Sequence, residues 1–237
     1  MFGLCPDPSQ FCVLAPNCYL QYSLQRLFQK PSPAFSQQTL FSSAPVFILT
    51  FSPPDVINSG CLLCKAYVTL DPDTAHPKLV LSEDRKSMVL GNKPRITFHC
   101  CKTFDQCLFV LGHKKFKSGR YYWEVTVGNE DGWGLGVARA SVRRKGIVPI
   151  DPAEGIWAMA KWGDHCTVLL PPHFPILPIS WDLKRIRVSL NYTGGRLSFF
   201  DADRGILLFA FSGASFSGES LHPFFWLWGK AQLSLCH

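Results

Sequence analysis

From about residue 66 onward, apolar and polar side chains alternate in short stretches separated by Gly, Asp, Asn and Pro. Successive side chains on an extended backbone point to opposite faces, so alternation with period two marks half-buried strands. In "RYYWEVTV" (120–127) this places Trp123, Val125 and Val127 on one face and Tyr122, Glu124 and Thr126 on the other. Glu124 is then the outward position of a strand and need not be catalytic. The next stretch, "WGLGVA" (133–138), has Trp133, Leu135 and Val137 on a bulky face, with Gly134, Gly136 and Ala138 behind them. Such a reverse side permits close backbone approach, so two sheets can stack there. "RIRVSL" (185–190) alternates again and returns through Leu197 and Phe199 after Gly194 and Gly195, which supply the positive φ of a tight hairpin. A turn at 201–205 leads into "ILLFAF", and a bulky strand pattern closes the chain at 221–236. No stretch between these has useful amphipathic helical period. The pattern predicts an all-β fold, a sandwich of two antiparallel sheets.

Residues 1–65 read differently. Phe, Ser, Gln and Pro mix without period, and Pro31, Pro33, Pro45, Pro53 and Pro54 interrupt any long element. We expect a poorly ordered extension there, with some helix near 19–29. The whole chain, 237 residues at 47% hydrophobic, has enough apolar material for one large core. Its net charge of +7 is a mild bias, not a nucleic-acid footprint. Ten cysteines scattered through a self-sufficient core, with no signal peptide before them, predict reduced thiols in the cytoplasm. The apolar runs at 46–51 and 206–211 are about a third of the roughly 20 residues a membrane helix needs, so no membrane insertion is expected.

Candidate chemistry is thin. Cys61 and Cys64 have the spacing of half a zinc knuckle, but no second pair follows, and His99, Cys100, Cys101 and Cys107 are the only nearby ligand types. "GWGLGVA" is spaced G-x-G-x-G and leads into Arg-Ala-Ser-Val-Arg-Arg, not into a helix that could hold phosphate. His165 and Cys166 would point to opposite faces of a strand, the wrong arrangement for a nucleophile and its base. The Asn191 sequon lies in a predicted hairpin of a chain expected to stay inside the cell.

The order of motifs resembles the PRY-SPRY domain of tripartite-motif ubiquitin ligases and butyrophilins. The PRY part is carried by "VTLDPDTAHPKLVLSEDRKSMVLG" (68–91). The SPRY part is carried by "VLGHKKFKSGRYYWEV" (110–125), "GWGLGVARASVRRKG" (132–146), "GIWAM" (155–159), "RIRVSLNYTGGRLSFFDAD" (185–203) and "LHPFF" (221–225). The resemblance implies a PRY segment over 66–118 and a SPRY segment over 119–237, folded as one bent, concanavalin-like jelly-roll sandwich. Loops at one end would form the partner-binding face. Where the family reads Leu-Asp-Tyr-Glu, this chain has Leu190-Asn191-Tyr192-Thr193, losing two carboxylates.

On that template the candidate contact residues are Trp133, Trp162, His165 and Phe174 with the basic loop Arg139, Arg143, Arg144 and Lys145. Trp123 and Trp157 are assigned to the core and Trp162 is the ring expected to be most exposed. The function expected is non-enzymatic recognition of a protein or short peptide, with innate immune regulation as its expected setting and no metal, cofactor or nucleic acid. Two other readings stand beside it: the target-selecting end of a ligase whose RING is not seen in 1–66, and a sensor of small phosphorylated ligands that uses Arg143 and Arg144.

Overall fold

The computed structural model describes residues 63–96, 101–128, 131–179 and 183–236. Fourteen strands and no helix occur among them. The first sheet runs, in spatial order, β12 (Ile206–Phe211), β11 (Arg196–Asp201), β10 (Arg185–Asn191), β5 (Arg120–Val127), β14 (Gln232–Cys236), β3 (Ser87–Leu90) and β2 (Leu79–Leu81). A short β1 (Leu63–Lys65) pairs in parallel with the start of β5. The second sheet runs β4 (Phe109–Leu111), β13 (Leu221–Trp228), β6 (Gly132–Arg139), β7 (Ile156–Trp162), β8 (His165–Val168) and β9 (Ile176–Leu177). Apart from β1, every pairing between strands is antiparallel.

The core between the sheets is the one the alternation specifies. Trp123 and Val125 of β5, Ile186, Val188 and Leu190 of β10, and Leu197 and Phe199 of β11 face Trp133, Leu135 and Val137 of β6 and Phe225 and Leu227 of β13. Trp123 is 1% exposed and stacks on Phe116 at 5.5 Å between ring centroids. Fully burying a large apolar side chain contributes about 1.5–3 kcal/mol, so this layer carries most of the stability. On the outer side of β5, Glu124 accepts from Arg187 at 2.7 Å and lies 3.6 Å from Arg185, an ion pair across the neighbouring strands β5 and β10.

Two expectations need correction. The sheets meet through the bulky face of β6, not through its glycine face. The glycine face turns outward and takes a second apolar cluster: Phe104, Cys107, Val142, Val148, Ile150 and Phe174 cover Ala138, Ala158 and Phe224. A methyl group at Gly136 would overlap the Trp157 carbonyl and sit 2.8 Å from the Ala158 Cα, so the strand itself needs glycine there. The second correction concerns residues 63–65, expected within the extension. They form β1, held where the Ala66 N–H donates to the Tyr122 carbonyl at 2.7 Å. The predicted helical stretch near 19–29 lies outside the described residues.

Candidate functional site

Glycines at the start of β6 create an aromatic platform on the outer face of the second sheet. Gly132 is opposite Trp162 on one side and Trp228 on the other, and Gly134 is opposite Trp226. With no side chain on the middle strand, rings from both neighbours fold over it. Trp162 stacks on Trp226 at 6.0 Å with an interplanar angle of 5° and meets Trp228 at 5.5 Å. The fit is close: a Cβ on Gly134 would lie 2.9 Å from the Trp226 ring, and one on Gly132 3.1 Å from the Trp162 ring. Such ring pairs add about 0.5–1.5 kcal/mol each beyond area burial, which holds the rings in place before any partner arrives. Trp226 is 3% exposed and forms the floor, while Trp162 and Trp228 stay half-buried against it. Beyond Trp162 the chain turns through Gly163 (φ 55°) and exposed Asp164 to exposed His165, which pairs with Trp162 across the hairpin.

The basic loop after β6 is built differently. Arg139 donates to the Ser215 carbonyl at 2.9 Å and lies over the Trp157 ring at 5.2 Å. Arg143 donates to Ile147 O at 2.6 Å, Arg144 to Ala140 O at 3.1 Å, and Lys145 to Thr103 O at 3.0 Å. The Arg144 guanidinium also covers Phe104 at 4.7 Å, and burial pushes its pKa down to about 10 against the opposing pull of Asp71. Loop carbonyls have no strand partner, and a charged donor satisfies each one at close range. The cations therefore fasten the 140–155 segment over the second apolar cluster.

The predicted contact residues fall into three groups. Trp162 and His165 come together at the platform. Arg139, Arg143, Arg144 and Lys145 gather at the other end of the same strands, since Gly132 pairs with Trp162 while Ala138 pairs with Ile156. That separation is about 20 Å at strand rise. Trp133 and Phe174 offer no contact surface and are corrections to the expected set. Trp133 lies on the inward face of β6, 0% exposed, with its indole N–H donating to Gly128 O at 3.1 Å. Phe174 is 7% exposed, packed in the outer cluster with φ at 41°. Trp162 is half-buried rather than open, because it leans on its two neighbours.

Sequence reasoning missed Trp226 and Trp228. The signal was their spacing of two, matching the spacing of Gly132 and Gly134 on the adjacent strand. Trp157 is in the core as assigned, 3% exposed. Cys166 points inward and His165 outward, and burial raises the Cys166 thiol to about 11, far from a working nucleophile. Among the described residues no three His, Cys, Asp or Glu side chains come together as metal ligands. Cys61, His99 and Cys100 lie outside those residues. Where Asn191 replaces the family's Asp, its side-chain oxygen accepts from the Gly194 N–H at 2.9 Å, so the hairpin keeps its turn bond. Tyr192 donates to Glu219 O at 2.7 Å.

The two antiparallel sheets packed face to face define the class as a β-sandwich. Comparison with known proteins gives the family: the SPRY domain matches residues 120–236 and the SPRY-associated PRY domain matches 68–116, and the chain belongs to the PRY-SPRY family. It is 42% identical to human butyrophilin subfamily 1 member A1 over 171 residues, which is 71% of this chain and 32% of that protein. It is 39% identical to rat E3 ubiquitin-protein ligase TRIM11 over 158 residues, 67% of this chain and 33% of that protein. The chain thus spans about a third of the length of these relatives. Among solved structures, the PSpry domain of TRIM65 has the same fold, with a TM-score of 0.64 at 22% identity, covering 73% of this chain and 91% of that one.

Proposed function

We propose that this chain is a non-enzymatic recognition module that binds a protein or short peptide through the platform of Trp162, Trp226 and Trp228 and the adjoining Gly163–His165 turn. The observation that carries the reading is the half-buried Trp162 indole, stacked in advance on the buried Trp226 and flanked by half-buried Trp228. Trp is prominent among the residues that dominate interface energies, and rings already fixed lose little freedom on binding. The protein-interaction role of the PRY-SPRY family agrees with it.

The test uses the full chain as bait, with Trp162→Ala and Trp228→Ala beside it. A partner recovered by the native chain should bind each variant at least about tenfold more weakly. Equal binding by both variants, with the fold intact, would remove the platform from the reading.

The match to TRIM11, named an E3 ubiquitin-protein ligase, supports a related role as the target-selecting portion of such an enzyme. Ubiquitin transfer by this chain alone would contradict the non-enzymatic assignment. We propose a cytoplasmic location, a reading supported by the thiol of Cys166, buried in the core.

A further inference from the structure

A second surface, unrelated to the platform, gathers at the start of β5. Residues 69–71 run beside 111–113: Leu70 bridges Gly112, the His113 N–H donates to Thr69 O at 2.8 Å, and the Asp71 N–H donates to Leu111 O at 2.8 Å. On the other side, Leu63 and Lys65 pair with Arg120 and Tyr122. These pairings bring exposed Lys65, Lys114, Lys115 and Lys117 and half-buried Arg120 into one region. Leu63, 53% exposed, and Tyr67, 69% exposed, lie within it. Neither 63–70 nor 112–123 contains an Asp or Glu. The ion pairs of the described residues involve none of the five cations. Three carboxylates stand at its border: half-buried Asp71, whose N–H donates to Leu111 O; Glu124, the next residue of β5, held by Arg187 at 2.7 Å; and Glu219, two residues from the Leu221 that bridges Phe116.

Charge decides what could cover this surface. Residues 1–62 carry only Asp7 and Asp55 as carboxylates, against Arg26 and Lys30, so the chain's own beginning is not complementary to it. A second copy brings another net +7. The chemistry of the cations narrows the choice further. Four of the five are Lys, compact point charges on flexible stems, rather than the planar Arg fork that grips a single carboxylate or phosphate. That composition suits many anions spread over a plane. Exposed Leu and Tyr beside Lys are the side chains that settle at headgroup level on a bilayer surface.

We infer that this region docks the domain peripherally on an anionic lipid surface. Phe116 bridges Leu221 at the start of β13, whereas Trp226 and Trp228 lie at its end, about 20 Å away along the strand. A lipid-bound domain would keep its aromatic platform clear for a partner.

The experiment is co-sedimentation of the full chain with vesicles of phosphatidylcholine alone or mixed with phosphatidylserine, at low and high salt. Binding should require phosphatidylserine and weaken with salt. Each Lys near such a surface is worth roughly a fivefold change in partition, so Lys114→Glu, Lys115→Glu and Lys117→Glu together should cost about a hundredfold or more. All three positions are exposed, so the variant's thermal midpoint should stay near that of the native chain. Trp162→Ala should sediment as the native protein does, which separates this surface from the platform. Equal binding to pure phosphatidylcholine, an unchanged triple variant, or preferential binding to soluble polyglutamate would overturn the inference.

Discussion

The two ends of the second sheet's outer face solve the same problem with opposite materials. At one end, glycines on β6 leave a trough that three tryptophans fill, and two of the rings stay half-buried. At the other, the trough is roofed by the 140–155 segment, and Arg139, Arg143, Arg144 and Lys145 donate to the backbone carbonyls that hold the roof down. Residue type alone would assign recognition to both ends, since Trp and Arg both dominate interfaces. Geometry divides them. The half-buried indoles are held by one another, whereas Arg143 and Arg144 each spend a donor on a carbonyl of their own loop.

The strand that both ends share gives the largest expected effect. Gly136→Ala forces a methyl group against the Trp157 carbonyl, and neither β6 nor β7 can move without disturbing both clusters. Chemical denaturation should show a loss of roughly 3–5 kcal/mol, the range of severe core disruptions. A loss below about 1 kcal/mol would mean that the sheet is softer than its packing implies. Gly134→Ala is the local counterpart: it should lift Trp226, disturb indole fluorescence at the platform, and leave the roofed end intact.

Next in size is the effect on binding. Trp162→Ala should weaken a partner by about 2 kcal/mol, near thirtyfold in Kd, while Arg143→Ala changes it by less than about twofold. Titration of both variants against one partner reads this contrast. The reverse ranking would return recognition to the basic loop.

How far this division could be read from the sequence depends on the interaction involved. Period-two alternation located the core because each strand reports its own faces: Trp123, Val125, Ile186 and Val188 lie where alternation puts them. The platform needed a relation between strands distant in sequence, Gly132 and Gly134 against Trp226 and Trp228, which no local pattern contains. Trp133 was misjudged as a contact because alternation cannot say which side of a strand faces the other sheet when both sides are buried. The bonds of Arg143 and Arg144 to carbonyls four residues away were not legible either, because they depend on loop conformation rather than on composition.

Removing one fastener should have a modest and confined effect. Arg144→Ala deletes the bond to Ala140 O and uncovers Phe104, costing about 1–2 kcal/mol. Hydrogen exchange should speed up in 140–150 and stay unchanged at 159–166. Equal acceleration at both places would show that the two ends are coupled through β6.

The smallest effect is a response to pH, and it too should favour the roofed end. His222, paired with Ala138 and bonded to Gly112 O at 2.8 Å, has its pKa lowered mainly by burial, with Lys115 and Arg144 adding to the effect and the Gly112 carbonyl and Asp71 opposing it. His76, bonded to Asp105 O at 3.2 Å, is lowered by burial and by Lys78, with Asp105 opposing. The unfolded chain takes up these protons near the ordinary value of about 6.5, above the pH at which the folded protein does. Protons therefore favour unfolding: the neutral imidazoles contribute full stability above that value, and the contribution declines as pH falls below it. The carbonyl acceptors offset part of the burial, which keeps the change small. His222→Gln should flatten the fall in stability below pH about 6.5, read by chemical denaturation at a series of pH values. A variant whose stability falls as steeply as the native chain's would take the acid-sensitive element away from the roofed end.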